Sequence, residues 1–218
     1  TARLARIEVV DGALTDSPAG SVPQFLNVQA HRSLPLRYGE NPHQSAALYA
    51  TNNGGVANGR QLQGKELSYN NLVDLDAAWQ LILEFSSPAC AIIKHTNPCG
   101  CAEQPTLADA YRRALEADPI SAFGGVLAFN RVVDKETAEE ATRIFTECIA
   151  APGFTDEAIA IFAAKKNLRL LEVGPATDDG LAVKSISGGY LAQSADRHVL
   201  DRAEAKVRTK RPPTDEEW

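Results

Sequence analysis

Short apolar runs alternate with capped, helix-patterned segments along most of this 218-residue sequence, and that order most limits what it can fold into. Asn71 can cap a helix over 71–85, with Leu72, Leu75, Trp79, Ile82 and Leu83 near one face. Residues 89–93, Ala-Cys-Ala-Ile-Ile, suit a buried strand that stops at Lys94-His95, and Asn97-Pro98-Cys99-Gly100 reads as a turn. Thr106, with Asp109 three residues on, opens a second helix to Ala117, which Asp118-Pro119 breaks. Gly124-Gly125 leads into a strand over 126–129. A helix over 135–145, a strand over 148–150, a turn at Pro152-Gly153, a helix over 156–165 and a strand over 168–173 follow. Asp178-Asp179-Gly180 is a turn, and short strands follow it. Such alternation predicts an α/β layered fold with a largely parallel or mixed sheet flanked by helices.

Residues 1–35 are less patterned: an apolar stretch over 4–10 is followed by Gly, Ser and Pro. Methionine is absent from the sequence. At the far end, Thr214 followed by Glu217 is a capping-box signal just before Trp218. Both features lead us to expect a segment of a longer protein. The formal charge of −6 argues against a nucleic-acid partner, which would show a basic face, yet a few placed cations suffice for one phosphate. No apolar run reaches the roughly 18 residues of a membrane span. Cys90, Cys99, Cys101 and Cys148 form no disulfide-type array and read as reduced thiols of a cytoplasmic protein.

Chemistry concentrates where the strand over 89–93 ends. Ligands of open α/β sheets bind outside the carboxyl ends of strands. There Lys94 can supply a fixed positive charge and His95 can move a proton near neutral pH. The plainer reading is a surface lysine beside a turn-stabilising histidine. Three polar clusters favour the first reading, because polar groups are costly to bury unless they bind something. They are LRYGENPHQ (36–44), KELSYNN (65–71) and DPISAFGG (118–125).

These three strings, KHTNPCG (94–100), IAAPGFTDEA (149–158) and AAKKNLRLL (163–171), in this order, resemble the AICAR formyltransferase family. AICAR is 5-aminoimidazole-4-carboxamide ribonucleotide. The resemblance implies formyl transfer from 10-formyltetrahydrofolate to the 5-amino group of AICAR, in proteins that also close the product to inosine monophosphate (IMP). It implies that His95 accepts the amine's proton while Lys94 stabilises the transition state. Arg37, Tyr38 and Gly124 are expected to bind the nucleotide, joined by Glu147, where some relatives carry Asp. Residues 1–35 are expected to end a cyclohydrolase domain and its linker. Residues 36–218 are then the first half of the formyltransferase domain, with a cytidine-deaminase-like three-layer sandwich fold. The family works as a homodimer, and the rest of its site, including much of the folate pocket, is expected beyond Trp218. This half alone is then inactive, or a binder only.

Three other readings compete. His95, Cys99 and Cys101 crowd one turn, as zinc ligands might, but Pro98-Cys99-Gly100-Cys101 has one residue between its cysteines where zinc deaminases have two, and no H-x-E string is present. The metal expectation is therefore none. A non-catalytic dimerisation or nucleotide-binding half-module is the second reading. A nucleophilic Cys99 is the third, weighed against the commoner small buried thiol.

Overall fold

The computed structural model describes residues 4–10, 13–16, 22–51, 54–176, 181–196, 198 and 201–217. The chain opens with strands β1 (Leu4–Val10), β2 (Ala13–Asp16), β3 (Phe25–Val28), β4 (His31–Leu36), β5 (Ala46–Ala50) and β6 (Arg60–Gln63). Helix α1 (Tyr69–Ile82), β7 (Ala89–Lys94), β8 (Asn97–Glu103), α2 (Leu107–Ala117) and α3 (Pro119–Ala122) come next. Then follow β9 (Gly125–Phe129), α4 (Lys135–Ala141), β10 (Thr146–Ala151), α5 (Asp156–Phe162), β11 (Arg169–Glu172), β12 (Leu181–Ile186) and β13 (Gly189–Ser194). Contacts divide the chain into two compact units, Thr1–Arg6 with Leu26–Asp178, and Ile7–Phe25 with Asp179–Trp218.

The larger unit holds a six-stranded mixed sheet in the order β6-β11-β10-β9-β7-β8. Strands β9, β10 and β11 run parallel, whereas β7 is antiparallel to β9 and β6 to β11. Strict alternation sends Cys90, Ile92, Leu127, Phe129, Ile149 and Leu170 to one face, where α2, α4 and α5 cover them. Ala91, Ile93, Val126, Ala128, Cys148 and Leu171 pack on the other face against Leu72, Leu75, Ala78, Trp79 and Ile82 of α1. A sheet buried on both faces accounts for the near-continuous apolar runs. Each fully buried aliphatic side chain there, Leu75 and Leu127 among them, contributes roughly 1.5–3 kcal/mol.

Local rules explain most helix starts. Thr106, Asp118, Asp134 and Thr155 each accept a backbone N–H of the first turn. Helix α1 differs from expectation. Ser68 caps it, and Asn71 sits at the third position, returning its side-chain oxygen to the Ser68 N–H at 3.1 Å. The helix ends at Ile82, which leaves Leu83 54% exposed instead of on the buried face. Helices α4 and α5 are also shorter than predicted. The chain must turn early to enter β10 and β11, and the Gln63 amide donates to the carbonyls of Phe162 (2.9 Å), the last residue of α5, and Lys165 (3.2 Å), just beyond it.

The predicted turn at 97–100 is instead the start of β8. The reversal falls on His95-Thr96, between the paired Lys94 and Asn97. Pro98 is tolerated because β8 lies at the sheet edge. Gly100 is required by close packing, since a Cβ there would lie 2.0 Å from the Ala114 carbonyl of α2.

In the smaller unit, β1 and β2 pair antiparallel, as do β12 and β13. The turn expected at Asp178-Asp179-Gly180 lies outside the described residues. Thr214 and Glu217 form half of the expected capping box: the Glu217 carboxylate accepts the Thr214 N–H at 2.9 Å and is gripped by Arg211. Among the described residues, no helix is long and apolar enough to cross a membrane.

Candidate functional site

The strand directions bring the predicted residues to one edge of the sheet. Lys94 and His95 leave the carboxyl end of β7, Gly124 precedes β9, Glu147 lies at the start of β10 and Arg169 opens β11. Lys65 follows β6 at the same edge. Of the strands at this edge, β7 and β6 present their carboxyl ends. Because β7 runs against β9, the parallel strands β9 to β11 present their amino ends here. From β7 to β6 the edge spans roughly 19 Å, at about 4.8 Å per strand.

One end of the edge is a corner built on β7. The Lys94 ammonium donates to the Phe123 carbonyl at 3.0 Å, which leaves two of its three N–H donors free for a ligand. Asp118, whose carboxyl is held below its ordinary value by hydrogen bonds from the Ser121 side chain and N–H, is near enough to feel the Lys94 charge. His95 is exposed, and its backbone is unusual. His95 and Thr96 have φ of 52° and 63°, the only non-glycine residues at positive φ among the described residues. The His95 carbonyl accepts from the Thr96 hydroxyl (2.6 Å) and from the Asn97 amide (2.8 Å). The Thr96 N–H donates to Asp74 of α1 at 2.7 Å.

Gly124 sits between this corner and the middle of the edge. Its φ of +75° is a glycine conformation, and its N–H donates to the Phe145 carbonyl at 2.7 Å. A Cβ there would meet only the Phe145 ring, at 3.6 Å, so the backbone angle is what demands glycine. Phe123 and Phe145 pack ring to ring at 5.5 Å and both remain exposed.

The other end is a cavity of about 300 Å³ lined by Arg37, Tyr38, Lys65, Glu66, Leu67, Ser68 and Arg169. Arg37 and Tyr38 reach it from the loop after β4, with the guanidinium 5.7 Å from the Tyr38 ring centre. Arg169 is nearly buried; it donates to the Glu147 carboxylate at 2.8 Å and to the Glu66 carbonyl at 3.0 Å. Glu147 thus joins the cavity through Arg169, while Lys94, His95 and Gly124 lie along the edge outside its lining. Three cations around one small cavity make a site for a phosphate or another compact anion.

Lys65 and Arg169 are the residues that sequence reasoning passed over. Both lie inside strings quoted above, KELSYNN and AAKKNLRLL, but 104 positions separate them and only the β6–β11 pairing unites them. The setting of Cys99 disfavours a nucleophile: burial pushes its thiol up, and it donates to the Ile92 carbonyl at 3.5 Å. Burial likewise raises Cys148 to about 12. Among the described residues, no group of three His, Cys, Asp or Glu side chains could hold a metal ion.

Comparison with known sequences decides the family. The model of the AICARFT/IMPCHase bienzyme family matches residues 7–218. The chain belongs to this family. The bifunctional purine biosynthesis protein PurH of Rhodospirillum rubrum is 50% identical over 226 residues, covering 100% of this chain and 43% of that protein. Its namesake in Paracoccus denitrificans is 50% identical, over 98% of this chain and 42% of that protein. The Bradyrhizobium diazoefficiens PurH is 56% identical over 190 residues, 84% of this chain and 36% of that protein. The chain thus spans about two fifths of the length of these bienzyme relatives. Among solved structures, a formate dehydrogenase accessory protein from Desulfotalea psychrophila matches at 11% identity and a TM-score of 0.35, over 42% of this chain and 46% of that one, a likeness that carries no argument.

Proposed function

We propose that this chain supplies the Lys-His corner and part of the nucleotide pocket of an AICAR formyltransferase. The observation that carries the reading is the single sheet edge on which Lys94, His95, Gly124, Glu147 and the Arg37–Lys65–Arg169 cavity all lie. In this reading Arg37, Lys65 and Arg169 hold the phosphate of AICAR, Tyr38 packs beside it, and Glu147 meets the ribose or base. The reacting amine then falls toward the β7 corner.

The chemistry asks for what that corner offers. The 5-amino group is conjugated and weakly nucleophilic, so it must lose a proton as its nitrogen bonds to the formyl carbon. His95 accepts that proton. The formyl oxygen gains negative charge, which the Lys94 ammonium stabilises through its free N–H donors. As the bond from the formyl carbon to the folate nitrogen breaks, that nitrogen takes a proton, delivered from the same pair. The exposed Phe123–Phe145 rings offer an apolar face to the aromatic part of 10-formyltetrahydrofolate.

The same reading assigns residues 1–35 to the end of a cyclohydrolase domain and linker, and 36–218 to the first half of a cytidine-deaminase-like formyltransferase domain. It places the enzyme in the cytoplasm as a homodimer that also closes the product to IMP, with no nucleic-acid, membrane or metal partner. Formyl transfer assayed in the complete bienzyme carrying this sequence tests it. Turnover of AICAR with 10-formyltetrahydrofolate that disappears in His95→Ala is expected; turnover unchanged in that variant contradicts the reading.

A further inference from the structure

The reversal between β7 and β8 places two residues with side chains where glycine belongs. Two-residue hairpin turns with both central residues at positive φ match the twist of the strands, but they favour Asn-Gly or Gly-Gly. Here the positions hold His95 and Thr96, at φ 52° and 63°. Histidine enters this region with modest cost; a β-branched residue such as Thr96 does so only when its surroundings impose it.

What imposes it lies on α1. Asp74 faces the turn from the second turn of the helix and accepts the Thr96 N–H at 2.7 Å. In a two-residue turn that N–H has no partner within the ladder, so the carboxylate supplies what the hairpin cannot. Two further bonds, from the Thr96 hydroxyl and the Asn97 amide, converge on the His95 carbonyl and fix the peptide between the two residues. Helix α1 is anchored by Leu72, Leu75 and Trp79 against β7, β9 and β10, so Asp74 sits on a rigid support.

We propose that Asp74 is a positioning residue: its carboxylate locks the left-handed His95-Thr96 turn and so aims the His95 imidazole at the reacting amine. This rests on the reading of the β7 corner as the formyl-transfer site. Asp74 touches no reacting atom in this scheme. It acts only through the backbone of the turn, and an asparagine oxygen in the same place would do the same work.

The test uses the complete bienzyme carrying this sequence, with Asp74→Ala and Asp74→Asn. Asp74→Ala is expected to lower kcat for formyl transfer by up to ~100-fold, the scale of a displacement of about 1 Å in a reacting group, with KM for AICAR little changed. Asp74→Asn, which keeps an acceptor for the Thr96 N–H, is expected to restore most of kcat. In the chain itself, amide exchange at Thr96 is expected to be slow in the native protein and in Asp74→Asn, and fast in Asp74→Ala. Unchanged kcat in Asp74→Ala, equal losses in both variants, or unaltered exchange at Thr96 would each overturn the proposal. A native enzyme that shows no formyl transfer at all would instead overturn the functional reading beneath it, while the exchange result would still decide whether Asp74 holds the turn.

Discussion

The two ends of the functional edge are built on opposite principles. The cavity end is dense with charge and well partnered: Arg169 is nearly enclosed and bonded to both Glu147 and Glu66, beside Arg37 and Lys65. The β7 end is sparse and strained, with an exposed His95 on a left-handed turn and a Lys94 tied by one hydrogen bond to the Phe123 carbonyl. Binding a phosphate rewards preorganised charge, whereas moving a proton rewards a base that stays accessible and correctly aimed. On the proposed reading, the contrast corresponds to a division of labour, with affinity set at the β6–β11 end and rate at the β7 end.

Substitutions can break that division. The largest effect is expected from His95→Ala, which should lower kcat by ~10²–10⁴-fold through loss of the proton acceptor, with AICAR affinity little altered. Initial rates and titrations on the same variant check both halves. A comparable loss of affinity would mean that the two ends are not separable.

Arg169→Ala should act the other way. It removes the donor to the partly exposed Glu147 carboxylate and to the Glu66 carbonyl, for a stability loss of about 0.5–1.5 kcal/mol. AICAR binding should weaken with it. Arg169→Lys should recover the charge but not the two-donor geometry, so partial recovery is expected. Denaturant midpoints and calorimetry measure the two effects.

Thr96→Gly sharpens the comparison from the strained side. Glycine relieves the steric cost of the left-handed backbone, a gain of roughly 1–2 kcal/mol offset in part by lost hydroxyl bonding. Thermal unfolding should show a small rise in Tm; a fall would mean that the turn is not strained.

The smallest effect concerns acid. The Asp118 carboxyl is held below its ordinary range in the folded protein, by the Ser121 hydrogen bonds first. Its stabilising contribution is therefore full above the usual carboxylate range and is lost as pH falls through the depressed folded value. Asp118→Asn should flatten the acid limb of a stability–pH curve, with a small loss of stability near neutrality that vanishes in acid.

Much of this molecule is legible in its sequence, for identifiable reasons. Runs such as 89–93 and 126–129 announce strands buried on both faces, and Thr106 announces a helix start, because these signals are local. The β7–β8 reversal was misplaced for the same reason. Asn97-Pro98-Cys99-Gly100 carries every local mark of a turn, whereas His95-Thr96 carries none and is held by Asp74, a residue more than twenty positions away. Arg37, Tyr38, Lys94, His95, Gly124 and Glu147 stood out through the family resemblance; the cavity's Lys65 and Arg169 did not, because only sheet topology joins them. The antiparallel entry of β7 was equally hidden, and with it the fact that the edge consists mostly of strand amino ends.

The most direct test of the central claim is a calorimetric titration of AICAR into this chain, repeated on Arg37→Ala and His95→Ala. The account predicts binding to the native chain, loss of binding in Arg37→Ala and retention in His95→Ala. Absence of binding to the native chain, or loss in His95→Ala with retention in Arg37→Ala, would contradict it.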